Sequence, residues 1–288
     1  MRFYTISVNN TEMTAVLGPS GEPVTLESLG VKVRDMNDLI RRYDEVKDRI
    51  VRGLEKDCVP VTEPYRILAP VPVPEQDLVC LGVNYREHIL ETSSGIQFDK
   101  KNDTVYFSKR ANRCNDPDGV IPFYDFVDSL DYEVELGVII GRDAFGVSAE
   151  EALDYVFGYT IINDVSARNI QRKHGQWYLG KSLDGYTPMG PCIVTKDEIG
   201  DIHRLQISCH VNGEERQNSS TGMMITPVEE AIAELSEGMT LKAGTIIATG
   251  TPGGVGMGTN PPRYLKPGDT VCCEISGIGK LTNTLEKK

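Results

Sequence analysis

Asp131–Gly141 reads DYEVELGVIIG, and its alternation decides how the rest of the chain is read. In a β-strand successive side chains face opposite ways, so Glu133 and Glu135 share a face, with Cα atoms about 7 Å apart. Val134, Leu136 and Val138 take the other face and point to a core. The apolar run continues through Ile139 and Ile140 to Gly141, so the strand is expected inside a sheet rather than on a wet edge. Two carboxylates held together in such a place repel; either one takes a proton or a cation lies between them. A second apolar run, Tyr159 to Asn163, ends at Asp164, which can supply a third oxygen ligand. Three carboxylates with no nearby Cys or His describe a site for a hard ion, Mg2+, Mn2+ or Ca2+ rather than Zn2+. A Glu-x-Glu pair by itself also suits a solvated strand face, so the remaining residues carry the decision.

The chain of 288 residues is long enough for a large core and one or two domains. Its net charge of −12 disfavours non-specific binding to nucleic acid or to an anionic membrane. No apolar run approaches the roughly 18 residues of a membrane span. The opening MRFYTISVNN lacks the apolar segment of a signal peptide. Seven cysteines, an odd count without a C-x-x-C pair, read as reduced thiols of a cytoplasmic protein.

Residues 1–30 read as short strands and turns, and Asp35–Leu54 as one amphipathic helix carrying Leu39, Ile40, Tyr43, Val46, Ile50 and Leu54 on its apolar face. Five prolines between Pro60 and Pro74 suggest an extended linker, which divides the chain into a small N-terminal α+β domain, 1–70, and a larger domain, 71–288. A short strand from Asp77 to Gly82 leads into Asn84, a candidate helix cap with Glu87 three residues on. In that helix His88 and Glu91 share a face, and a carboxylate beside an imidazole makes a general base; a surface ion pair fits the same spacing. Ser93–Asn102 is polar and is expected to be mobile. Ser148–Glu151 reads as a capping box, and Asn212-Gly213 as a hairpin turn. Arg168 and Gln171 stand at i, i+3 after Asp164, where Arg168 either serves a ligand or pairs with a carboxylate. The glycine loop Gly250–Gly258 matches neither a Walker A nor a dinucleotide fingerprint. It can offer amides to an anion or be a plain turn.

Taken together, GVNYREHILE (82–91), YFSK (106–109), DYEVELGVIIG, NDVSARNIQ (163–171), GKSLDGYTPMGP (180–191), VNGEERQ (211–217) and ATGTPGGVG (248–256) resemble the fumarylacetoacetate hydrolase family. The resemblance covers about residues 78–285. It implies an α+β, mostly β fold, a β-roll domain usually found in a homodimer. It matches Glu133, Glu135 and Asp164 to the family's metal ligands, His88 and Glu91 to a dyad on a lid, and Lys181 to the active-site lysine. Arg168, Gln171 and Thr251 match substrate-contacting positions. Two departures are Arg110, where the family often has proline, and Asn169, where it often has aspartate.

The function this implies is Mg2+- or Mn2+-dependent chemistry on a small anionic 2-oxo acid, with the ion stabilising an enolate. C–C hydrolysis of acylpyruvates, with His88 and Glu91 activating water, is the leading expectation. Decarboxylation of an oxaloacetate-type acid and isomerisation of 2-hydroxyhepta-2,4-diene-1,7-dioate use the same site. A reading from another class is a non-catalytic metabolite-binding protein that keeps the fold and the ion.

Overall fold

The structure is a computed structural model that describes residues 1–56, 58–92 and 104–288. The expected lid between Ser93 and Asn102 lies outside the described residues. The strand that opens the sequence argument runs Val134–Ile140 and is buried along its whole length. It is shorter than the alternation suggested. Asp131 belongs instead to a two-stranded ladder, Leu130–Asp131 with Ser166–Ala167, and Tyr132 and Glu133 bridge the two pieces. The break is held by the Asn163 side chain, which accepts the Glu133 N–H at 3.0 Å, and by the Asp164 N–H, which donates to the Glu133 carbonyl at 2.8 Å.

Val134–Ile140 lies near the middle of a 10-stranded sheet. On one side it pairs antiparallel with Val156–Asn163, on the other with Ile246–Ala248, which in turn runs parallel to Leu78–Gly82. Val105–Lys109 closes that side. A second sheet, of five strands, is built around the Gln206–Val211 and Glu214–Ser220 hairpin and the last two strands of the chain, Thr270–Ile275 and Gly279–Lys287. Val134, Leu136, Val138 and Ile140 face this second sheet and join Ile207, Cys209, Val271, Cys273 and Leu281 in one core. Each such aliphatic side chain, fully buried, contributes roughly 1.5–3 kcal/mol. Ile139 points the opposite way, into a second core with Leu39, Ile40 and Ile50 of the N-terminal helices. One face of the strand thus carries the Glu135 carboxylate at its start, next to Glu133 just before it, and an apolar anchor, Ile139, near its end.

The single helix expected over Asp35–Leu54 is two, Met36–Arg41 and Tyr43–Leu54, joined at Arg42. The bend seats Tyr43 edge-on against both Phe3 and Phe157, at 5.8 and 5.0 Å. The proline-rich stretch is not wholly a linker, because Tyr65–Leu68 within it pairs with Arg2–Val8. Arg2–Val8 also pairs with Met189–Thr195, so the main sheet runs on across residue 70. Asn84 caps no helix: its side chain bonds the Thr226 N–H and the Thr226 and Thr249 carbonyls, and the helix begins at Arg86. Ser148 likewise reaches the Glu151 side chain rather than a backbone N–H. All seven cysteines are free. No helix among the described residues is long and apolar enough to cross a membrane.

Candidate active site

The start of Val134–Ile140, the end of Val156–Asn163 and the loop after Ile246–Ala248 meet at one point. There the carboxylate oxygens of Glu133, Glu135 and Asp164 all lie within 4.8 Å of one another. Each residue is at most 4% exposed. Asp131 brings a fourth buried carboxylate, and Lys109, Arg168 and Lys181 bring three buried cations.

Lys181 Nζ donates to Glu133 Oε2 at 2.8 Å and to Asp164 Oδ2 at 2.5 Å. Lys109 Nζ donates to the other Asp164 oxygen at 2.6 Å and to the Val165 carbonyl at 3.2 Å. Arg168 spans Asp131 Oδ2, at 2.9 Å from Nε, and Glu133 Oε1, at 2.5 Å from Nη2. It also donates to Gln171 Oε1 at 3.1 Å. The sequence left Arg168 between serving a ligand and pairing with a carboxylate; it pairs with two.

Burial alone would raise Glu133, but Arg168 and Lys181, with His88 adding to them, hold its carboxyl well below the usual range. Glu135 goes the other way: burial first, then Asp164 and Glu133, push it well above its ordinary value. Among the described residues it accepts the Gly250 N–H at 2.8 Å. With every group ionised the cluster carries one negative charge in excess, and Glu135 is where that excess accumulates. The donor set is all oxygen and short of positive charge, so it fits a divalent hard ion held by Glu133, Glu135 and Asp164.

His88 and Glu91 form the expected pair, Nδ1 to Oε1 at 2.8 Å, on the helix Arg86–Thr92. This is no surface ion pair. His88 is 8% exposed, and Glu91 accepts the Gly254 N–H at 2.7 Å and the Val255 N–H at 3.4 Å. Gly254 holds φ at +102°, where a Cβ would stand 1.9 Å from the Arg216 carbonyl, and the missing Cβ of Gly258, which would lie 2.5 Å from Glu91 Cδ, leaves room for the carboxylate.

The glycine loop therefore has a role that neither sequence reading described. Its amides are taken up by the site's own carboxylates: Gly250 by Glu135, Gly254 and Val255 by Glu91, Gly256 and Met257 by Asp131 at 2.7 and 3.0 Å. Thr251 Oγ1 donates to the Val134 carbonyl and accepts from Gln217 Nε2, which ties the loop to the central strand.

His88, Glu133, Glu135, Arg168, Gln171, Lys181 and Thr251 all line one cavity of about 440 Å³; Glu91 and Asp164 do not line it but bond His88 and Lys181, which do. The sequence reading missed Lys109, Asp131, Asn163 and Gln217 as parts of the site. Each lay inside a motif already quoted, but only their burial and partners reveal the role. Arg110 is exposed and faces away to Asn112 and Asp77, and Asn169 bonds the Phe126 carbonyl, so neither departure disturbs these contacts.

Residues 77–286 match the sequence profile described as Fumarylacetoacetate (FAA) hydrolase C-terminal. The chain belongs to the fumarylacetoacetate hydrolase family. It is 44% identical over 221 residues to oxaloacetate tautomerase YisK of Bacillus subtilis, covering 76% of this chain and 73% of that one. Among solved structures it resembles the fumarylacetoacetate hydrolase of psychrophilic Exiguobacterium antarcticum, at TM-score 0.83 and 35% identity over the whole of both chains. It also resembles maleylpyruvate hydrolase from Sphingobium sp. SYK-6 in complex with manganese(II) and pyruvate, at TM-score 0.80 and 26% identity, covering 100% of this chain and 99% of that one. The α+β, mostly β family fold expected from the motifs is the fold observed.

Proposed function

We propose that this protein is a divalent-metal-dependent enzyme that enolises a small anionic 2-oxo acid, and that keto–enol tautomerisation is its first reaction to test. The observation that carries the reading is the convergence, in one cavity, of a buried triad of oxygen ligands with a clamped His–Glu pair. The identity to a relative named oxaloacetate tautomerase supports the choice of reaction. Glu133, Glu135 and Asp164 would hold a Mg2+ or Mn2+ ion, which would supply a Lewis acid for enolisation.

The chain's own residues do the rest. Glu91, accepting from Nδ1–H, fixes the His88 tautomer that leaves the lone pair on Nε2. His88 Nε2 takes the proton from the carbon next to the 2-oxo group, and returning a proton to the oxygen completes the tautomerisation. Lys181 and Arg168, held in place by the floor carboxylates, stand beside the developing oxyanion, and the buried walls limit water. Asp131 and the loop amides hold Arg168 and Glu91 without needing to move.

A second reading is C–C hydrolysis of an acylpyruvate, in which His88 deprotonates a water instead of carbon. The rigid seating of Glu91 on the Gly254 and Val255 amides favours it, since water activation needs a base held in one position. The two are separated by offering oxaloacetate, acylpyruvates and 2-hydroxyhepta-2,4-diene-1,7-dioate with Mg2+ or Mn2+, then with EDTA. Metal-dependent turnover that is lost in His88→Ala, with Mn2+ affinity unchanged, supports the enzyme reading. Decarboxylation or isomerisation would appear as loss of the corresponding substrate. No turnover of any member by the metal-loaded parent refutes it and leaves a metabolite-binding protein.

A further inference from the structure

The cavity changes character from floor to rim. Its floor is ionic and buried, formed by Glu133, Glu135, Arg168 and Lys181. Its wall is apolar: Leu81, Ile89, Phe107, Trp177 and Met257. Phe107 and Trp177 meet edge to face at 5.1 Å. Trp177 can close over this wall because residue 82 is glycine; a Cβ there would lie 2.3 Å from the indole ring. Arg172 also lines the cavity but is exposed.

Among the described residues three cations line the cavity, and they are not equivalent. Arg168 and Lys181 are bound to carboxylates of the floor. Arg172 forms no ion pair among the described residues; its Nη2 donates to the Tyr264 hydroxyl at 3.2 Å. That contact steadies a guanidinium without neutralising it. An anionic head on the floor, a short chain along the apolar wall and a positive group at the rim are what a molecule with two carboxylates would meet.

We infer that Arg172 is the second anchor of the site and binds a distal carboxylate, which makes the substrate class 2-oxo diacids rather than 2-oxo monoacids. This rests on the proposed 2-oxo acid reading of the floor. Arg172 is a specificity residue: it touches the far end of the substrate and leaves the reacting atoms alone.

The test is binding, measured by calorimetry on Mn2+-saturated protein with 2-oxoglutarate and 2-oxopentanoate, which differ in whether the chain ends in carboxylate or methyl. The parent is expected to bind the diacid about tenfold more tightly, the worth of one charge-assisted contact at a partly wet rim. Arg172→Gln is expected to bring the ratio near one by weakening the diacid alone, and Arg172→Lys to keep part of it. A ratio unchanged by Arg172→Gln, or equal binding of both acids to the parent, overturns the assignment while leaving the 2-oxo acid reading standing. Failure of both acids to bind overturns the two together.

Discussion

Lys109→Met tests the charge balance of the site most directly. The lysine is fully buried, with its Nζ on Asp164 Oδ1 at 2.6 Å and on the Val165 carbonyl at 3.2 Å. Methionine has a similar length and no charge, so the change removes the cation with little change in volume. Asp164 keeps Lys181 on its other oxygen. What is lost is one partner of a buried pair, which costs roughly 3–5 kcal/mol. At about 2 °C per kcal/mol for a chain of this size, the ion-free variant is expected to melt roughly 6–10 °C below the parent. The same change leaves four carboxylates facing two cations. A divalent ion then relieves more repulsion in the variant than in the parent. Thermal or urea unfolding with and without Mn2+ reads both effects. The stabilisation by a fixed Mn2+ concentration is expected to be larger in the variant, where a ligand at 100 times its Kd yields about 2.7 kcal/mol. A loss below about 1 kcal/mol without ion, or a smaller Mn2+ gain in the variant, would mean that Lys109 does not help to balance these carboxylates.

The raised Glu135 gives a pH prediction with a definite sign. Its stabilising contribution is complete below the ordinary glutamate value of 4.5 and is lost as pH rises, so the ion-free protein weakens above that pH by up to about 1.4 kcal/mol per unit. Glu135→Gln is expected to flatten that slope and to remove most Mn2+ affinity, read by unfolding across pH and by calorimetry; an unchanged slope would refute the assignment. Mn2+ affinity of the parent is expected to rise with pH over the same range, because the ion must displace a proton. Gly254→Ala places a Cβ against the Arg216 carbonyl at a backbone conformation with φ of +102°. It is expected to lower turnover at least tenfold by unseating Glu91 while leaving Mn2+ binding within a few fold, and parent-like turnover would show that the loop does not hold the dyad.

Much of the site was legible because its chemistry is written in short spacings. Glu133 and Glu135 two apart, and His88 and Glu91 three apart, each meet through local geometry alone. Asp164 was legible because it ends an apolar run that pairs beside the first. Lys109 was not, since nothing local says that a lysine ending a strand will be buried; it is buried because Leu78–Gly82 and Val105–Lys109 carry it under Asp164. Asn84 resembled a helix cap in sequence, but Thr226 and Thr249, far along the chain, take its side chain.

The amino-acid order alone determined the family, the mostly β architecture, the three carboxylates that form the candidate ligand set and the His–Glu pair, because each follows from periodicity or from motifs read in order. Only the tertiary structure decided which charges balance which, and that the glycine loop serves the protein's own carboxylates rather than an incoming anion. Those outcomes depend on residues 17 to 164 positions apart meeting in a dry interior, where electrostatics acts through space and chain spacing carries no information about it.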